Sequence, residues 1–228
     1  MEEKPKITKG DVGHALAKGV IGAIPIGGAL ASEIFNLVIA PPLTKRRDEW
    51  MESIAEGLKK LEEKVKGFKI ENLSRNDSFI TTVMHATQAA IRNHQKEKLE
   101  ALRNAVLNAA LPEAPEEDLQ MIFLNYVDSL TPWHIRILTF FDNPKAWMEK
   151  NNKKWPDIQF GGLSDILTQA FQELRGMRDF YDQLFRDLYS RGLVNTESLH
   201  GTMTGSGLSA SRTTDMAKSF IKFITSPI

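Results

Sequence analysis

The side chains that could do acid–base or metal chemistry are few and scattered in this 228-residue chain. Its five histidines are His14, His85, His94, His134 and His200. No two of them are four residues apart, the spacing with which one helix presents a histidine pair to zinc. His85 and His94 fall on one predicted helix, about 13 Å apart at 1.5 Å per residue, too far to share a metal ion. The sequence therefore predicts no metal site.

Nucleophile and phosphate-binding motifs are also missing. The absence of cysteine excludes a thiolate nucleophile, a Cys-ligated zinc or iron–sulfur site, and disulfides. The Thr204-Gly205-Ser206-Gly207 stretch has no lysine after it and no predicted strand before it, both of which a phosphate loop needs. We interpret it as a flexible loop tip. No Gly-x-Ser-x-Gly elbow occurs, so we predict a protein without catalytic residues or cofactors, which is not an enzyme.

Composition restricts the function classes further. The 29 basic and 29 acidic residues cancel, with 42% hydrophobic and 25% charged residues. This balance is typical of a globular protein and excludes wholesale disorder. A neutral chain has no overall attraction to nucleic acid or anionic lipid. Binding to either would need a local basic patch.

The most unusual segment is residues 19–43, whose one ionisable side chain is Glu33. A signal peptide would explain its apolar character. However, the residues before it include Glu2, Glu3 and Asp11, whereas a signal peptide begins with a basic region. The apolar run also continues past the small residues that would form a cleavage site. We therefore consider a signal peptide the weakest interpretation.

Two other interpretations of residues 19–43 stay open. The segment is long enough for a transmembrane helix, but its apolar side chains contribute only roughly −3 to −6 kcal/mol against about +3 kcal/mol for a central charge. The favoured alternative is two short apolar helices hinged at residues 25–28 and ended by Pro41-Pro42, buried in a core or an oligomer interface. The candidate membrane or oligomer interface comprises Ile24, Pro25, Gly27, Gly28, Glu33, Phe35, Lys45, Arg46 and Arg47.

The basic cluster of that set could face anionic lipid head groups if the segment inserted. Acidic residues follow it directly at Asp48, Glu49 and Glu52. Their presence favours an ordinary solvated helix face.

Hydrophobic periodicity predicts helices along the rest of the chain. An apolar stripe at spacings of three and four marks an amphipathic helix after Thr44; its members are Trp50, Ile54, Leu58, Leu61 and Val65. A second helix is predicted from about 79 to 110, with a polar middle, and a third over 116–130. Thr131-Pro132 and Asn143-Pro144 are typical helix starts.

The order of elements in the C-terminal third resembles a winged-helix domain. A helix over residues 182–194 ends in Arg-Gly-Leu-Val, a Ser/Thr/Gly-rich stretch follows, and Thr214 opens a closing helix. The resemblance covers about residues 130–224 and departs from the pattern by an insertion near 143–163. It implies a small β-hairpin, and contact positions at Arg186, Arg191 and Arg212.

The whole chain is also similar to an uncharacterised bacterial family with an IPxxGG…APPLxKRRxxW start and an LTPWHxRIL motif. That likeness implies no activity. The predicted fold is mostly α: an apolar segment over 1–43, long amphipathic helices over 44–129, and a winged-helix-like module over 130–228.

Three functions follow as hypotheses. The first is a cytoplasmic, non-enzymatic helical protein that acts through a protein partner or self-association. The second is a conditional membrane-inserting effector, of a defence or toxin type, that releases residues 19–43. The third is a DNA-binding regulator, which the seven basic and seven acidic residues after position 162 disfavour.

Overall fold

Helices build most of the chain that the computed structural model describes, residues 35–228. A π-helix, Phe35–Ile39, leads into α1, Ala40–Lys64, and a 3₁₀ turn, Ile70–Arg75, follows. The next helices are α2 (Asp77–Arg92), α3 (Lys96–Ala109), α4 (Glu117–Ser129), α5 (Pro132–Asp142) and α6 (Pro144–Lys150). Then come β1 (Phe160–Gly161), α7 (Leu163–Ala170), a 3₁₀ turn (Gln172–Leu174), α8 (Arg178–Ser190), β2 (Met203–Thr204), α9 (Gly205–Ser209) and α10 (Asp215–Ile224). The predicted mostly α class is confirmed.

Local capping signals set several helix starts. The side chain of Asn76 accepts a hydrogen bond from the N–H of Phe79, that of Asn143 from Ala146, and that of Thr214 from Ala217. Thr131 and Pro132 open α5 as predicted. Short polar side chains stabilise these positions because they satisfy N–H groups that have no partner within the helix.

Two predicted helix boundaries are wrong. Pro41 and Pro42 do not end a helix; they lie in the first turn of α1, where a missing N–H costs little. The long helix predicted from about 79 to 110 is two helices separated by residues 93–95. The polar residues in its middle form the turn, so α2 and α3 pack against each other instead of projecting into solvent.

Helix α3 lies at the centre of the fold and packs against α1, α2, α4 and α10. Its Leu102, Ala105, Val106 and Leu107 are fully buried. One continuous cluster of buried side chains runs from Trp50 to Ile224. The helices of the predicted middle and C-terminal modules therefore share a core.

The region after α8 forms less β-structure than the winged-helix resemblance implies. A single antiparallel bridge joins Val194 to Thr213, and β2 pairs with β1, which comes from the predicted insertion. The stretch interpreted as a flexible tip is folded: Thr204 Oγ1 accepts from the N–H of Gly207, and Leu208 is buried. The tip prediction is therefore wrong.

Candidate interaction site

Three consecutive apolar side chains are exposed where the described chain begins. Leu37, Val38 and Ile39 are 77%, 55% and 41% exposed. Single exposed apolar residues on a surface are normal, whereas several exposed apolar side chains at one helix end are a candidate contact site. We call these three residues the apolar strip. It belongs to the segment in which the sequence predicts an interface.

The structure describes only some residues of the predicted membrane or oligomer interface. Ile24, Pro25, Gly27, Gly28 and Glu33 lie outside the described residues. Phe35 is the first residue of the π-helix before α1. The hinge predicted at residues 25–28 therefore stays a prediction.

The three basic residues near the start of α1 differ in their surroundings. The exposed ammonium of Lys45 lies 3.7 Å from a Glu49 carboxylate oxygen, and Arg47 Nη2 lies 2.8 Å from Asp48 Oδ1. Acidic neighbours on the same helix thus offset two of the three charges. Such pairing lowers the attraction of this face for anionic lipid.

Arg46 lines a groove together with residues of α1, the end of α2 and the start of α3. Its floor is apolar and consists of Trp50, Ala90 and Leu99. Its rim is formed by Arg46, Glu49, Ser53, Asn93, Lys96, Glu100 and Arg103. We call it the Arg46 groove. Its volume of about 220 Å³ is below the roughly 300 Å³ at which small-molecule pockets begin, so it fits one or two side chains better than a cofactor.

Contacts within the groove hold its walls in place. Trp50 Nε1 donates to Thr87 Oγ1 at 3.0 Å, which ties α1 to α2. Arg103 Nε donates to the carbonyl of Ser53 at 3.0 Å, which ties α3 to α1. On the rim, Lys96 Nζ lies 3.8 Å from Glu100 Oε1. The groove is therefore a feature of the folded core and not of a single mobile helix.

The three arginines implied by the winged-helix resemblance do not form one basic surface. Arg186 donates to Gln183 on its own helix. The Arg191 guanidinium stacks 5.8 Å from the ring centre of Tyr126 on α4. Arg212 is turned toward the 203–207 stretch, where it donates to the Gly207 carbonyl and to Met203 Sδ.

His134 is buried and acts in a helix cap. The N–H of Thr131 donates to His134 Nδ1 at 3.1 Å, so the ring proton belongs on Nε2, which faces Asp187 Oδ2 at 3.4 Å. Burial lowers the pKa of His134, and the hydrogen bond and charge of Asp187 oppose that shift. The residue therefore links α5 to α8.

His200 lies in a separate polar hollow beside α8. Its Nε2 lies 2.8 and 2.9 Å from the two carboxylate oxygens of Asp182. Ser198 Oγ accepts from the backbone N–H of His200 and makes no hydrogen bond with its ring. A serine nucleophile needs that ring contact to lose its proton, so this cluster does not have the geometry of a hydrolytic triad. Within residues 35–228, no group of three His, Asp or Glu side chains is arranged to hold a metal ion.

Sequence reasoning missed two asparagines that dock the last helix. Asn108 Nδ2 donates to the carbonyls of Phe223 and Thr225, each at 2.8 Å, and Asn104 Nδ2 donates to that of Ile224. These carbonyls end α10 and have no partner within the helix. The available signal was two asparagines four residues apart inside a helix, where their intrinsic propensity is poor.

Sequence reasoning also missed a buried lysine, Lys98. Lys98 Nζ donates to the carbonyl of Asp128 at 2.7 Å, near the end of α4. Burial lowers the pKa of Lys98, and the Asp128 carboxylate opposes the shift. Its position in the polar 92–100 stretch concealed it, because that stretch reads as solvent-exposed.

No family model, curated protein or solved structure matches this chain. Across residues 35–228, no helix has both the length and the apolar character needed to cross a bilayer.

Proposed function

We propose that this is a non-enzymatic helical protein that acts through protein contacts, with its N-terminal apolar surface as the contact site. The observation that carries the proposal is the exposure of Leu37, Val38 and Ile39 next to a well-packed core. Burying such a patch is favourable by about 25 cal/mol per Å² of apolar area. The residues that precede the strip in the sequence are also largely apolar.

The C-terminal helices support this proposal as a structural module. The order of α5, α7, α8 and α10, with the Val194–Thr213 bridge between the last two helices, supports a winged-helix-like arrangement. The arginines of that module contact protein groups, as described above. We propose that the module is winged-helix-like and serves protein contact or support, in preference to DNA binding.

The test compares two sets of surface variants by size exclusion with light scattering. Leu37→Ser with Val38→Ser removes the strip, whereas Ile80→Ser with Met84→Ser removes two exposed apolar residues of α2. We expect the strip variant alone to lose association with a second copy or partner. Equal loss in both variants would refute a specific contact through the strip.

The conditional membrane effector is a second candidate, favoured by the same strip and by the exposed Lys45 that follows it. It predicts that the intact chain floats with anionic vesicles, and that Lys45→Glu with Arg46→Glu abolishes flotation. A protein that stays in the dense fraction at low ionic strength would exclude membrane binding by the intact chain, because surface attraction is strongest there.

A further inference from the structure

We propose that a pocket at the end of α1 binds a small organic anion with an apolar body. The pocket lies between the end of α1, the 3₁₀ turn Ile70–Arg75 and the end of α3, and Lys66 is one of its lining residues. We call it the Lys66 pocket. The proposal goes beyond protein contact, because it assigns a ligand to the end of α1 opposite to the apolar strip.

Most of the residues that line the Lys66 pocket are apolar. Phe68, Leu73 and Ala110 are buried and belong to the hydrophobic core, so the fold fixes this wall. Val65 and Leu111 are partly buried and pack against the same core. Ligand sites are typically apolar with a few polar groups, so this lining favours a ligand with an apolar body.

The charged side chains that line the pocket have one sign. They are Lys66 and Lys69, and no Asp or Glu of residues 35–228 lines the pocket with them. The Arg46 groove and the hollow that contains His200 each combine basic with acidic lining residues. The Lys66 pocket is therefore complementary to a negative charge.

The polar side chains of the pocket offer hydrogen-bond donors that the fold leaves open. Within residues 35–228, the Lys66 ammonium and the Asn72 amide make no hydrogen bond or ion pair. Lys69 Nζ lies 3.8 Å from Glu62 Oε1, and one such contact leaves other donors of its ammonium free. Asn76 uses its side-chain oxygen as the cap of α2, which leaves its Nδ2 as a donor.

Backbone carbonyls in the same wall already accept hydrogen bonds. The carbonyl of Val65 accepts from the N–H of Phe68 at 3.1 Å, and that of Leu73 accepts from the N–H of Asn76 at 3.1 Å. Open donors beside occupied acceptors favour a ligand group that only accepts. A carboxylate has two acceptor oxygens and no donor, so it matches both the charge and the hydrogen bonding of the pocket.

The size of the pocket limits the ligand. Its volume of about 350 Å³ is within the range of roughly 300–1,000 Å³ that small-molecule sites occupy. At about 30 Å³ for each non-hydrogen atom, the share of a water molecule in the liquid, the pocket holds about ten to twelve such atoms. Phenylacetate has about that size and joins an apolar ring to a carboxylate.

The test titrates phenylacetate into the full-length chain labelled with ¹⁵N-glycine and follows the amide of Gly67, which lines the pocket. Gly67→Asn assigns that signal, because asparagine tolerates the φ of 83° at this position. We expect a saturable shift with a Kd of about 1 mM or lower. Phenethylamine, which has the same ring and a positive charge, should bind at least about tenfold more weakly, and so should inorganic phosphate, which has no apolar body.

Two double variants with the same change of net charge locate the binding. Lys66→Glu with Lys69→Glu reverses both charges of the pocket and should weaken phenylacetate binding at least about tenfold. Lys59→Glu with Lys60→Glu reverses two exposed charges of α1 that do not line the pocket, and should weaken it less than about twofold because solvent and salt screen them. Asn72→Phe keeps both pocket lysines and fills the cavity, so it should abolish binding even if the first variant does not fold.

A saturable Gly67 shift with this ranking of ligands and variants would support the proposal. No shift at roughly 20 mM phenylacetate, or equal affinity for phenylacetate and phenethylamine, would overturn it. Equal loss in the two charge-reversal variants would overturn it as well, since net charge and not the pocket would then control binding. These readouts report ligand binding and not association, so they test the pocket separately from contact through the apolar strip.

Discussion

At the scale of single residues, buried and half-buried polar side chains hold helices to one another. His134 joins the start of α5 to α8, and Asn108 joins α3 to the end of α10. Both satisfy backbone groups at helix termini, which would otherwise lose hydrogen bonds on burial. Each of these two contacts leads to a prediction about stability.

Protonation of His134 should destabilise the protein in mildly acidic solution. Because burial lowers its pKa in the folded state, the unfolded chain binds the proton more readily. The stability it contributes is complete above pH 6.5, the ordinary histidine pKa, and is lost as the pH falls from there through the folded-state value. The slope of unfolding free energy for one such group is at most about 1.4 kcal/mol per pH unit.

Urea unfolding of wild type and His134→Gln over this pH range measures the effect. The variant should lack the part of the slope that His134 supplies, and His85→Gln, at an exposed position, should keep it. An unchanged slope in His134→Gln would show that the histidine does not couple folding to pH.

Replacing Asn108 should loosen the last helix. Asn108→Ala removes the donor to the carbonyls of Phe223 and Thr225, and we expect a loss of about 1–3 kcal/mol in unfolding free energy. The exposed Asn125→Ala should change stability by less than about 0.5 kcal/mol. Equal effects in denaturant unfolding would mean that the docking hydrogen bonds contribute nothing net.

At the scale of elements, local signals fix where helices start and long-range packing fixes how they continue. Thr131-Pro132, Asn143-Pro144 and Thr214 could be predicted because a cap and its helix are within four residues of each other. The break at residues 93–95 could not, since it depends on α2 and α3 packing together. The β1–β2 pair joins residues more than 40 positions apart, which no local pattern indicates.

The candidate site shows the same division. The apolar strip and Arg46 could be predicted from the sequence, because residues 19–43 are apolar and a basic cluster follows them. The groove could not, since Trp50, Ala90 and Leu99 come from three helices whose packing had to be known first.

The end of α8 gives a prediction at this scale. Gly192 adopts a φ of 68° just after the helix, in the left-handed region where a side chain costs about 1–2 kcal/mol. Gly192→Ala should therefore destabilise the fold by about that amount in thermal or urea unfolding. Gly201→Ala is the matched control, because Gly201 has an ordinary φ and open space around it; equal effects would rule out the conformational cause.

At the scale of the whole molecule, the described chain has a continuous core and one uncovered apolar end. The buried cluster is formed by residues from Trp50 to Ile224. At the start of α1, Leu37, Val38 and Ile39 are exposed. We therefore interpret the helical body as a support that presents the N-terminal segment to another copy or another protein.

Light scattering of the intact, detergent-free chain, with flotation of the same sample on anionic vesicles, tests this account most directly. We expect a discrete assembly with a mass above the 25.7 kDa of one chain, which stays in the dense fraction. A 25.7 kDa species that remains monomeric at high concentration and floats with the vesicles would contradict it. The apolar segment would then act on lipid and not on protein.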